Sequence, residues 1–272
     1  MRTLCTGLLL LSLVLASRLF AQEPQGGPGP SAAQLYHTGM NFLTGTGVSR
    51  SDTQGEAALR RSATQGYAPA QVALGLLYES GQVVVQNPGE AASWYRKSAD
   101  QGNKLAEWSL GRLYYSGSGV PRDLDQAARW LQKAADQGDP FGAYLLGRIK
   151  QERGDFPGAV PEYRRAARQG LPQAQQRFGE LLMAGEGVPK DDFEAYVWLL
   201  VSFQNGNQAV ATDLQQLEGS LGSAAVEQAK SKARDLFDST ARTVVAGGCT
   251  GWQGEFADVP APPPLNLQNR CQ

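Results

Sequence analysis

Between Ala106 and Gly138 the chain reads AEWSLGRLYYSGSGVPRDLDQAARWLQKAADQG, and this stretch decides the fold. Ala106, Leu110, Leu113 and Tyr114 recur at helical spacing, as do Ala127, Trp130, Leu131, Ala134 and Ala135. Gly117 and Gly119 break the chain between the two apolar stripes. The unit is therefore predicted to be an α-α hairpin.

Outward from it, the same signals repeat. Pairs of a polar residue and glycine stand at Gln65-Gly66, Gln101-Gly102, Gln137-Gly138, Gln169-Gly170 and Asn205-Gly206, spaced 36, 36, 32 and 36 residues apart. A second series, Gly39, Gly75, Gly111, Gly147 and Gly179, keeps step. Ser51 with Gln54, Asn87 with Glu90, Asp123 with Gln126 and Asp191 with Glu194 form capping-box pairs at the expected start of the second helices. Pro88 adds a preset first-turn dihedral, and the glycine of each polar-Gly pair suits a left-handed helix end. Glycine inside a helix costs about 1 kcal/mol relative to alanine. The second glycine series therefore implies close helix approach, with Ala99, Ala135 and Ala167 expected on the facing side. One hairpin cannot bury both apolar faces, so the units must stack.

Leu-Gly-x-Leu-Tyr, Gly-x-Gly-Val, Ala-x-x-Trp and Lys-Ala-Ala-x-Gln-Gly, all present in the unit from Ala106, resemble the Sel1-like repeat family, a cousin of the tetratricopeptide repeats. The resemblance covers about Ala32 to Gly206 and implies an all-α, right-handed superhelical solenoid. The first unit departs from the pattern at Thr38 and Ala58, and the fourth loses four residues between its helices around Arg153-Gly154-Asp155. The resulting layout is a signal peptide at 1–21, a flexible segment at 22–31, five repeats at 32–206, C-terminal capping helices at 207–240 and an irregular tail at 241–272.

The ends carry the compartment. Arg2, the apolar run Leu8 to Leu15 and the small residues Ala16, Ser17 and Ala21 read as an export signal, too short for a permanent span. Cleavage after Ala21 or Ala16 fits; the polar, Pro- and Gly-rich Gln22 to Pro30 favours Ala21. Cys5 leaves with the signal, so Cys249 and Cys271 are expected to form one disulfide in a periplasmic or secreted product. Closing that loop is worth roughly 3 kcal/mol in chain-entropy terms. Trp252 and Phe256 in the tail are available to pack on the last helices. A formal charge of −1 argues against a nucleic-acid or anionic-membrane partner.

Chemistry-bearing motifs are sparse. His37 is the single histidine, and no zinc cluster is present. Gly45-Thr46-Gly47 and Gly185-Glu186-Gly187 recur once per repeat without the strand and lysine of a phosphate loop, so they are turns. Asp123 and Asp191 are caps, and Asp52 and Asp192 follow the caps Ser51 and Asp191, so the carboxylates lie mostly in different repeats. No cofactor is expected and the chain reads as non-enzymatic. The resemblance implies instead a groove lined by first-helix positions three before, one after and four after the central glycine. These are Tyr36, Met40 and Leu43; Val72, Leu76 and Glu79; Trp108, Arg112 and Tyr115; Tyr144, Arg148 and Gln151; and Gln176, Glu180 and Met183. Aromatics interleaved with arginine are enriched at interface hot spots. Trp108, Arg112, Tyr115, Tyr144, Arg148, Leu76 and Met40 are thus the expected contacts for a protein or peptide partner, with Tyr78 and Tyr114 assigned to packing. A weak cell-wall or β-lactam hydrolase and a polysaccharide-export component are the alternative readings. The cysteine-rich Sel1-like proteins tied to β-lactams carry a cysteine pair in each repeat, which these repeats lack.

Overall fold

The computed structural model describes residues 29–243, and side chains as far as 239. The signal segment, most of the flexible stretch and the tail with Cys249, Cys271, Trp252 and Phe256 lie outside the described residues. Within them the chain forms twelve α-helices, one short 3-10 turn and no strand. The five hairpins are α1 (Ala32–Thr44) with α2 (Asp52–Thr64), α3 (Ala68–Ser80) with α4 (Pro88–Ala99), α5 (Lys104–Ser116) with α6 (Leu124–Asp136), α7 (Pro140–Glu152) with α8 (Phe156–Arg168), and α9 (Pro172–Ala184) with α10 (Asp192–Gln204). After a turn at Gln208–Val210 come α11 (Ala211–Leu221) and α12 (Ser223–Thr243). Through the five hairpins each helix packs chiefly on its neighbours in sequence, which is the contact pattern of a solenoid, while α12 packs mainly on α10.

Local chemistry sets the ends. Ser51, Asn87, Asp123 and Asp191 each accept from the backbone N–H three residues on, as the sequence predicts. The reciprocal half of the box is not made there; among the described residues it forms at Ser31 and Gln34. Glu194, for one, is drawn away to pair with Lys232 on α12. Gly66, Gly102, Gly138, Gly170 and Gly206 all have positive φ, and each donates its N–H to the carbonyl three residues back.

The in-helix glycines do mark close helix approach, but the residues facing them are not the alanines expected. A Cβ on Gly75 would lie 2.4 Å from Tyr95 Cε1, on Gly111 2.7 Å from Leu131 Cγ, on Gly147 2.9 Å from Tyr163 Cε1 and on Gly179 2.8 Å from Leu199 Cγ. The glycine makes room for a large side chain on the second helix of its own unit. Ala99, Ala135 and Ala167 serve the joint to the next unit instead: a Cβ on Gly142 of α7 would come 3.1 Å from the Ala135 backbone nitrogen. Ala99 shares a buried cluster with Leu105 and Ala106 of α5, and Ala167 one with Ala174 of α9.

The second glycine of the inter-helix turn also contacts the preceding unit. A Cβ on Gly119 would sit 2.2 Å from the Pro88 carbonyl carbon, and one on Gly187 2.4 Å from that of Phe156. Gly47, in the first unit, has open space around it. Thr38 is likewise exposed where Leu74, Leu110, Leu146 and Phe178 are buried. The first unit thus turns a polar face outward at the start of the stack. At the other end Leu214, Leu217, Val226, Ala229 and Ala233 are buried, and the Tyr196 hydroxyl donates to Glu218 at 2.6 Å.

Candidate functional site

The first-helix row is not uniform. Tyr36, Met40, Leu43 and Val72 are at most 4% exposed. Met40, expected as a partner contact, belongs to the core cluster formed with Leu43, Leu59 and Leu74. The apolar residues of the first two units are consumed by packing within and between those units, which is why their row offers no wall. Leu76 is half-buried and packs against the clusters on both sides of it, so it is a joint residue.

In the middle units the polar and aromatic positions are stitched across repeats. Arg112 lies 5.2 Å above the Trp108 ring and pairs with Glu79 of the preceding unit. The other oxygen of that carboxylate accepts from the Tyr95 hydroxyl at 2.9 Å. The Trp108 ring meets Phe141 of the next unit edge-on, with centroids 6.2 Å apart. The Tyr115 hydroxyl donates to Glu152, whose second oxygen accepts from Arg122 at 2.9 Å. Tyr144 tilts against Tyr163 at 5.8 Å, and the Tyr163 hydroxyl donates to Gln151 at 2.7 Å. Burial, followed by the bond to Glu152, raises the Tyr115 phenol above its ordinary value, and burial raises that of Tyr163. Both therefore remain neutral hydroxyl donors at neutral pH.

Arg148 differs from Arg112. It is exposed, lies 5.4 Å above the Tyr115 ring, and among the described residues has no ion-pair partner. The Tyr115 face and the Arg148 guanidinium together form a cationic, aromatic spot beside the half-buried Tyr144. Tyr78 and Tyr114, assigned to packing, are half-buried and accept from Arg60 and Arg96 of their preceding second helices.

Sequence reasoning missed the partners of this row. Glu79 lies in the predicted wall pattern and anchors Arg112, while Glu152, five residues past its glycine, lies outside that pattern and holds Tyr115. An acid standing one repeat away from an arginine was the available signal. It also missed what the residue before each glycine pair does. Gln101 donates to Gln71 at 2.8 Å, Gln137 to Glu107 at 2.7 Å and Asn205 to Gln175 at 3.0 Å, tying the end of the second helix to its own first helix in units two, three and five. Ser62, Ser98 and Ser202 add bonds to the carbonyls of Ala32, Ala68 and Pro172.

Among the described residues, no group of three His, Cys, Asp or Glu is placed to hold a metal ion, and no helix is long and apolar enough to cross a membrane. His37 is exposed, its ring 5.4 Å from that of Tyr36.

The chain is similar to solved structures of the same architecture. One is c5321, a protective antigen present in uropathogenic Escherichia coli strains and displaying an SLR fold: 27% identity and TM-score 0.68, covering 94% of this chain. This chain spans only 54% of that one. Another is a Sel1 repeat protein from Oxalobacter formigenes: 27% identity and TM-score 0.66, covering 85% of this chain and 97% of that one. No curated protein sequence matches. The Sel1 repeat model matches residues 35–67, 68–103, 104–139 and 172–207, passing over the short-looped unit between them. These matches take in just over half of the residues, and the chain belongs to the Sel1 repeat family.

Proposed function

We propose that this protein is an exported, non-enzymatic scaffold that holds an extended or helical segment of a partner protein against its row of first helices, in an envelope assembly or signalling complex. Sel1 repeats generally mediate protein-protein interaction, and the N-terminal apolar run with its small residues supports a periplasmic or secreted product. In this reading the superhelix is right-handed with the first helices on its concave side, α11 and α12 close its end, and a Cys249–Cys271 disulfide pins the tail.

The observation that carries the groove is Arg148. An exposed guanidinium standing over an aromatic ring, with no carboxylate partner among the described residues, is placed to take one from a partner in bidentate fashion. Arg112 is a poor probe of the same idea, because its carboxylate is already supplied by Glu79. The test is capture from a native envelope fraction with wild type and Arg148→Glu. Loss of the captured partner, with helical circular dichroism unchanged, is the expected result. Equal capture by the variant overturns the assignment of this row. N-terminal sequencing of the secreted product is expected to begin at Gln22.

A further inference from the structure

Four residues before the central glycine the five units carry Leu35, Gln71, Glu107, Ala143 and Gln175, all buried, so one joint holds an ionisable group where two hold glutamine. In the glutamines of units two and five, Oε1 accepts from the amide at the end of the second helix, Gln101 at 2.8 Å or Asn205 at 3.0 Å. In each, Nε2 donates back across the joint to the carbonyl that ends the preceding unit, Ala63 at 3.1 Å or Ala167 at 3.2 Å. Those carbonyls also accept the N–H of Gly66 and Gly170, both at 3.0 Å.

Unit three has Glu107 at this place, only 3% exposed. Half of the arrangement is kept: Glu107 Oε2 accepts from Gln137 at 2.7 Å. The receiving carbonyl is kept as well, since Ala99 stands eight residues earlier and accepts the Gly102 N–H at 2.9 Å. The donor is what changes, because an ionised carboxylate only accepts, whereas a protonated one has an O–H.

We propose that Glu107 is a proton-operated joint between the second and third units: neutral, it donates to the Ala99 carbonyl as Gln71 and Gln175 do to theirs; ionised, it leaves that bond unmade and turns a carboxylate oxygen toward a carbonyl. The surroundings shift the balance toward the neutral form. Burial raises the carboxyl above its ordinary value and Asp136 adds to this, while Lys133 and the Gln137 bond oppose them without cancelling the rise. On α4, Lys97 is held 3.8 Å above the Trp94 ring and Asp100 is exposed. At the start of α7, Asp139 accepts the Gly142 N–H. On α5 itself Arg112 is committed to Glu79, and Lys104 makes no ion pair among the described residues. Because the folded state binds this proton more tightly than the unfolded chain, the contribution grows as pH falls through the folded value and is absent above it. The same pair of units is crossed by the Glu79–Arg112 pair, so the switch acts on the middle of the candidate wall.

Thermal unfolding of the full protein across pH tests this with two reciprocal variants. At neutral pH Glu107→Gln, which makes the donor permanent, should melt higher than wild type by roughly 2–4 °C for one added hydrogen bond. The gap should close as pH is lowered toward 4.5, the ordinary glutamate value. Gln71→Glu should melt lower than wild type at neutral pH and recover on acidification. A Glu107→Gln gap that is absent or constant with pH, or a Gln71→Glu variant with no pH-dependent loss, overturns the proposal. So does a carbon-13 titration of the Glu107 carboxyl at or below the ordinary value.

Discussion

Units three and four are neighbours built to different rules, and only one of them matches the family pattern. Unit three joins its helices through the turn from Gly117 to Asp123 and seats Gly119 on the backbone of the preceding unit at Pro88. Unit four uses only Arg153, Gly154 and Asp155, and a Cβ on Gly154 would meet nothing within 4 Å. Yet α7 and α8 pack as α5 and α6 do, with Tyr163 over Gly147 in place of Leu131 over Gly111. The comparison teaches that the repeat is defined by the close helix approach at its central glycine. The long turn is a separate device, which locks one unit to the unit before it.

Substitutions can separate the two devices. The largest effect is expected at the turn: Gly119→Ala combines a left-handed backbone with a clash against rigid backbone, and should destabilise by about 3 kcal/mol in urea unfolding. Gly154→Ala, with the same backbone sign but open space, should lose only about 1 kcal/mol. Equal losses would mean that the Gly119 turn does no docking. Next come the in-helix glycines. Gly111→Ala would meet both Leu131 Cγ at 2.7 Å and the Leu131 backbone nitrogen at 3.2 Å, and a net loss of about 2 kcal/mol is expected. Gly147→Ala meets the edge of the Tyr163 ring at 2.9 Å with no backbone atom among its nearest contacts, and the gain in helix propensity offsets part of the clash, leaving a smaller loss. The smallest contrast is at the caps. Asp123→Ala and Asp155→Ala each remove an acceptor for a helix-opening N–H and should cost about 1 kcal/mol alike, since capping is local and indifferent to turn length. A marked difference between them would show that the cap and the turn are coupled.

Much of this architecture is legible along the chain. The 36-residue spacing, the caps at Ser51, Asn87, Asp123 and Asp191, and the four-residue shortening of unit four are all local signals, and the helices begin and end where those residues dictate. The candidate site was legible only in outline. Arg112 stands over Trp108 and Arg148 over Tyr115, but Arg112 and Tyr115 are bonded to acids contributed by adjoining units, and Met40 is buried.

What the sequence determined by itself is therefore the hairpin, its repeat and its helix ends, because a cap, a left-handed glycine and a helical stripe act within a few residues. Only the tertiary structure decided which side chain fills each central glycine, that the alanines serve the next joint, that Arg112 is neutralised while Arg148 has no ion pair among the described residues, and that Glu107 is buried at its joint with one carboxylate oxygen bonded to Gln137. Those contacts join residues about thirty or more positions apart or depend on how one hairpin is set against the next, and that geometry is fixed by packing across the whole stack.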